Sequence, residues 1–190
     1  MLTRWLRRVP YLRKWQERLS EPLLLSVPDN LSDHVIVAGY GRVGRVLVNI
    51  LLNQGYRVLV IENSEAAIQG LRHRQIPFIY GDADAEQVLE KTHLATAKAL
   101  AIALPDPIST RLLLQRALIH SPQLDIIARS HTDKEIDLLT QLGAREGGQP
   151  EFEAATELGA HLLHTLGEDS EEIQAVLETI RRDRYQSVRG

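Results

Sequence analysis

From His34 onward the apolar positions follow two alternating periods. Short runs of apolar and β-branched residues at 35–38, 57–61, 78–80, 99–103 and 125–128 have the length and composition of strands. Between them, 42–54, 64–74, 84–91, 107–120 and 132–141 carry apolar residues at helical spacing. Strands that alternate with helices call for right-handed crossovers and a parallel sheet covered on both faces. The pattern therefore predicts an α/β, doubly wound (Rossmann-type) domain over 33–149.

The pattern changes on either side of that domain. In 151–166, Phe152, Ala155, Leu158, Leu162, Leu163 and Leu166 occupy more than one helical face, so a single sheet cannot bury them all. Such a helix, assigned 150–167, needs a second partner. Residues 168–190 form a tail with a short extra helix near 171–182, where Ile173, Val176, Leu177 and Ile180 make one narrow stripe before the basic Arg181, Arg182 and Arg184. Ala144 to Gly148 is poor in β-formers and predicts a loose last edge to the sheet. At the other end, 1–32 reads as a basic head and a linker, the linker marked by Pro28, Asp29 and Asn30.

At 190 residues and 44% apolar content, the chain holds one main core and little room for a second full domain. The absence of cysteine excludes disulfides, thiolate nucleophiles and thiolate metal sites, and fits a reducing compartment. The net charge of −3 is unevenly spread. Residues 1–28 carry six basic groups against Glu17 and Glu21, a net of +4, which leaves −7 for the remainder. An acidic body argues against nucleic acid as a partner, because a duplex-binding domain stripes basic groups over its folded face. The head, with Trp5 and Trp15 among its Arg and Lys residues, fits a transit sequence, an interfacial helix, a solvated helix or the stub of a longer chain.

The strongest motif is Gly39-Tyr40-Gly41-Arg42-Val43-Gly44, a G-x-G-x-x-G that follows a strand and opens a helix. Glu62 ends the second strand 18 residues after Gly44. That context turns a common glycine pattern into a dinucleotide-binding fingerprint. Gly39 permits the turn, Gly41 lets a pyrophosphate approach the backbone, and Gly44 lets the helix press on the sheet. Exposed amides and the positive helix end receive the anion. Glu62 accepts from a ribose diol and repels a 2′-phosphate, which favours AMP or NAD(H) over NADP. ATP shares the same ribose and phosphate groups and stays a candidate. Asp82, in the Gly81-Asp82-Ala83 turn, either reads the adenine rim or caps the next helix.

Catalytic groups are harder to assign. No Tyr-x-x-x-Lys and no G-x-S-x-G occurs. His161 and His164 sit one turn apart beside Glu157, a pattern read more readily as surface histidines than as metal ligands. His131 follows Arg129 at the carboxyl edge of the sheet, without a substrate domain to serve. A binding domain is the first reading; a stand-alone NAD-dependent oxidoreductase is the alternative.

Taken together, HVIVAGYGRVG, VLVIEN, IYGDADAEQVLEKTHL, ALPD, IIARSHTDKEIDLLTQLGA and QPEFEAA resemble the RCK (KTN, TrkA-N) nucleotide-binding domain, in the form attached to Kef-type and YbaL-like monovalent cation:proton antiporters. The resemblance runs from about residue 34 to 166. It implies a non-enzymatic regulatory domain at the cytoplasmic face of a membrane, bound to an adenine nucleotide and controlling potassium or other cation:proton antiport. Its partners would be a second copy, through a crossover helix at 150–167, and the transmembrane antiporter part of the same protein. Carried over residue by residue, Gly39, Tyr40, Gly41, Arg42, Val43 and Gly44 fall at the phosphates. Glu62 and Asn63 then fall at the ribose and Asp82 and Ala83 by the adenine, while Arg129 faces the ligand or the dimer cleft. The basic, Trp-bearing head becomes a juxtamembrane segment. The compact second RCK subdomain is missing.

Overall fold

The computed structural model describes residues 25–28 and 30–189, with side chains from Val27 to Arg184. The basic head at 1–24 lies outside the described residues.

Six parallel strands form the sheet: β2 (His34–Ala38), β3 (Arg57–Glu62), β4 (Phe78–Tyr80), β5 (Ala99–Ile102), β6 (Asp125–Arg129) and β7 (Glu146–Gly148). A two-residue strand, β1 (Leu25–Ser26), runs antiparallel on β4 at one edge. The spatial order β1-β4-β3-β2-β5-β6-β7 sends the chain outward from β2 in one direction, then outward from β5 in the other. This is the expected doubly wound architecture.

Period-two alternation divides the core. On one face Val37, Val58, Val60 and Phe78 pack against Val48 of α1 (Arg42–Asn53) and against Ile68 and Leu71 of α2 (Glu65–His73). On the other, Ile36, Leu59, Ile61, Leu100, Ile102 and Ile126 lie under α3 (Glu86–Leu89), α4 (Pro107–His120) and α5 (Asp133–Gln141). Strands buried on both faces read as unbroken apolar runs, as HVIVA does here.

Three expectations need correction. The 144–148 segment is not a loose edge, since β7 pairs with β6 from Ile127↔Glu146 to Arg129↔Gly148. One of its two glycines has a packing reason: a β-carbon on Gly147 would come within 3.1 Å of the Ile136 side chain on α5. The described part of the linker, 25–28 and 30–32, is more than a connection. Besides forming β1, it buries Leu31, whose carbonyl accepts from the Thr96 hydroxyl. The last helix is not short: α7 (Ser170–Arg189) has 20 residues.

After β7 the chain enters α6 (Pro150–Thr165). Helix α7 folds back on it, burying Ile173 and Leu177, with Arg181 bonded to Glu153 and the Arg184 guanidinium 4.1 Å from the centre of the Phe152 ring. The opposite side of α6 stays open: Leu158, Leu162 and Leu166 are 69%, 60% and 69% exposed. A second apolar surface is also uncovered. On the α1 face, β5 and β6 carry no helix, leaving a groove of about 570 Å³ lined by Ala99, Ala101, Ile127, Leu47, Ile50 and Tyr56. Among the described residues no helix is long and apolar enough to cross a membrane.

Candidate functional site

The site forms at the carboxyl ends of β2 and β5, where the winding reverses and the neighbouring loops must part. Leaving β2, the chain turns at Gly39, whose φ of +94° lies in the region that L side chains avoid. Its amide donates to the Ile61 carbonyl at 2.8 Å. Gly44 sits where a β-carbon would lie 1.9 Å from the Gly39 carbonyl oxygen, so its packing partner is the loop itself. Gly41 differs from both. A β-carbon there meets nothing within 4 Å, so protein packing does not require its bare backbone.

Gly41 is also the N-cap of α1, with no side-chain cap and no acid in the first turn. Unpaired first-turn amides and the positive helix end are what an anion needs. Across the opening, Glu62 accepts from the amides of Asn63 and Ser64 through Oε1, both at 2.8 Å, and from the Tyr40 amide through Oε2 at 2.6 Å. A carboxylate offers about four acceptor positions. Three are spent on the fold, and the one left is on Oε2.

The Asn63 amide group donates to the Asp82 carboxylate at 2.8 Å, tying the turn after β3 to the turn after β4. Helix α3 is capped at Ala85, so the capping role considered for Asp82 does not apply. Gly81 and the buried Ala83 form that wall of the cavity. The third wall is the β5–α4 loop, Leu104 to Asp106. Asp106 caps α4 by accepting from the Ser109 amide at 2.7 Å, and this hydrogen bonding holds its carboxyl below the usual carboxylate range. Arg129 closes the fourth side from the end of β6; its Nη2 donates to Glu151 at 2.6 Å, and its Nε is buried without a partner.

The enclosed space is about 470 Å³, within the range of small-ligand cavities. It brings together Gly39, Gly41, Arg42, Val43, Glu62, Asn63, Ala83 and Arg129. Three residues singled out in the sequence stand differently: Gly44 does not line the cavity and packs on the Gly39 carbonyl instead. Tyr40 turns its ring into the core, 3% exposed, with its hydroxyl accepting from Arg74 at 2.7 Å, so only its backbone reaches the loop. Asp82 acts through Asn63. Leu104, Pro105, Asp106 and Ser109 line the cavity without having been assigned to it; the Asp-Pro helix start after the fourth apolar run was the available signal. The open Gly41, the uncapped α1 and the orphaned Arg129 Nε all fit an anionic group.

The TrkA-N domain family matches residues 35–148. The chain belongs to this family. Its relatives include the putative cation/proton antiporter YbaL of Escherichia coli strain K12, 33% identical over 129 residues, which cover 68% of this chain and 23% of that protein. The glutathione-regulated potassium-efflux system protein KefC of Escherichia coli O157:H7 is 31% identical over 160 residues, 84% of this chain and 26% of the relative. The TrkA-N chain thus spans about a quarter of the length of these curated relatives. Among solved structures, the Shewanella denitrificans Kef CTD in its AMP-bound form superposes with a TM-score of 0.74 at 29% identity, covering 82% of this chain and 94% of that one.

Proposed function

We propose that this TrkA-N domain binds an adenine nucleotide, AMP or NAD(H), and regulates monovalent cation:proton antiport from the cytoplasmic face of a membrane, without acting as an enzyme. The observation that carries the reading is the open backbone at Gly41, facing a carboxylate on one side and a partly unsatisfied guanidinium on the other. Phosphates rest on the Gly39–Gly44 loop beside Arg42. One ribose hydroxyl donates to the remaining position on Glu62 Oε2. The adenine lies toward Asn63, Asp82 and Ala83. An AMP-bound relative and relatives named as transporters support this choice over an oxidoreductase.

The working unit in this reading is a homodimer. Leu158, Leu162 and Leu166 form one exposed stripe, and each leucine moved from water into an apolar contact contributes about 1.5–3 kcal/mol. The uncovered groove on β5 and β6 is apolar and open on the same chain. A twofold arrangement that lays α6 of each copy in the groove of the other covers both. Residues 33–149 then bind ligand, 150–167 join the subunits, and the antiporter part of the full-length protein receives the signal. The deciding experiment is mass spectrometry of ligand released from purified, denatured protein, followed by calorimetry with AMP, NADH and ATP. Release of no nucleotide, with no heat from any of the three, would end the proposal.

A further inference from the structure

Arg129 stands at a boundary. Its side chain is 14% exposed and lines both the nucleotide cavity and the apolar groove. The only hydrogen bond that its guanidinium makes among those described goes to Glu151, in the first turn of α6. Glu151 holds a second contact toward the cavity. The same oxygen lies 4.0 Å from His131 Nδ1, while His131 Nε2 donates to the carbonyl of Pro105 in the cavity wall at 3.0 Å. The start of α6 is thereby bonded to one wall of the site, through Arg129, and lies beside a second.

We infer that Glu151 is a built-in competitor for the ligand: its carboxylate occupies Arg129 when the cavity is empty, and a nucleotide phosphate displaces it, releasing the first turn of α6. The inference rests on the nucleotide reading of the cavity. A guanidinium presents its donors in one rigid plane, so turning the fork onto a phosphate takes Nη2 away from a carboxylate on α6. The phosphate carries more charge than the carboxylate and also gives the orphaned Nε an acceptor. Glu151 has little to lose by leaving, because its side chain is 60% exposed and water replaces the lost bond.

Competition for one group is a coupling, and coupling is reciprocal. Anything that seats α6 with Glu151 on Arg129 weakens nucleotide binding by the same factor by which nucleotide loosens α6. The groove that this reading gives to a partner's helix has Arg129 on its rim, so site and interface share a residue.

The test is AMP titration by calorimetry with the full 190-residue chain, run on wild type, Glu151→Gln, Arg129→Gln and the double variant. Competition requires Glu151→Gln to bind AMP about three- to tenfold more tightly than wild type, and to have no effect once Arg129 is Gln. Amide hydrogen exchange supplies a readout that simple packing would not give. In wild type, AMP accelerates exchange across 153–157, whereas in Glu151→Gln those amides exchange fast from the start and ignore AMP. Weaker AMP binding by Glu151→Gln would show that Glu151 preorganises Arg129 and would overturn the inference. So would affinities within about twofold of each other while wild type binds well. If wild type binds neither AMP nor NADH, the site reading falls first and takes this one with it.

Discussion

Gly44 faces Gly39 so closely that a β-carbon on the first would penetrate the carbonyl of the second, at 1.9 Å. The loop and the first turn of α1 are locked against each other, and the lock lies beside the surface offered to the ligand. The two glycines flanking Arg42 and Val43 therefore differ in what they tolerate.

Gly41→Ala is expected to fold with stability within about 1 kcal/mol of wild type, since its β-carbon enters open space. The methyl group stands where phosphate approaches, so AMP affinity falls at least about tenfold. Gly44→Val must displace the Gly39 carbonyl and costs about 3 kcal/mol or more. Urea unfolding paired with calorimetry separates the two; equal destabilisation by both variants would contradict the geometry.

Glu62 is expected to discriminate among ligands and to hold the loop at once. NADPH should bind about tenfold or more weakly than NADH, because a 2′-phosphate meets the carboxylate. Glu62→Ala strands three backbone amides and should cost about 1–3 kcal/mol in addition to ligand affinity. Competition binding with both dinucleotides, beside thermal unfolding of the variant, checks each half.

Leu158→Asp with Leu162→Asp is expected to leave the fold intact and to abolish self-association. Both side chains are exposed in the single chain, so a charge there costs little unless a second subunit covers it. Light scattering at micromolar concentration reads the outcome. A monomeric wild type, with or without AMP, removes the dimer.

His34 gives a pH dependence with a defined sign. Burial pushes its imidazole below the ordinary 6.5, outweighing the opposing hydrogen bond to the Thr92 carbonyl at 2.9 Å. Between the folded value and 6.5 the unfolded chain binds the extra proton, so stability falls as pH drops through that window and is flat above it. Urea unfolding near about pH 7.5 and about pH 5.5 should show a loss in wild type that His34→Gln reduces.

NADH mixed with the protein and simple carbonyl compounds is expected to keep its absorbance for hours. The side chain that caps α4 in the cavity, Asp106, is held ionised by its hydrogen bonding and so is not suited to deliver a proton. Turnover that disappears in Gly41→Ala would favour an oxidoreductase.

Local periodicity made most of the sheet legible. HVIVA and RVLVIE announce buried parallel strands, and the glycine spacing with Glu62 places a loop against a carboxylate before any coordinates exist. What stayed hidden depends on contacts far apart in sequence. Glu146–Gly148 looks unlike a strand in part because Gly147 packs against Ile136 of α5 with little room for a β-carbon, and the two residues of β1 are too few to show a period. Tyr40 reads as a ligand contact until Arg74, at the end of α2, is seen to hold its hydroxyl inside the core. The Arg129–Glu151 pair joins residues whose partnership no local spacing encodes.

The antiparallel pairing of Leu25 with Ile79 and Ser26 with Phe78 ties the first described residues to the edge of the sheet. Because β1 runs against β4, the chain arrives next to the carboxyl end of β4, immediately before Gly81 and Ala83. The edge strand and a cavity wall thus share one end of β4, with Leu25 paired two residues before Gly81. Any change in the pairing of β1 is therefore felt first at the turn that carries Gly81 and Ala83 into the cavity wall.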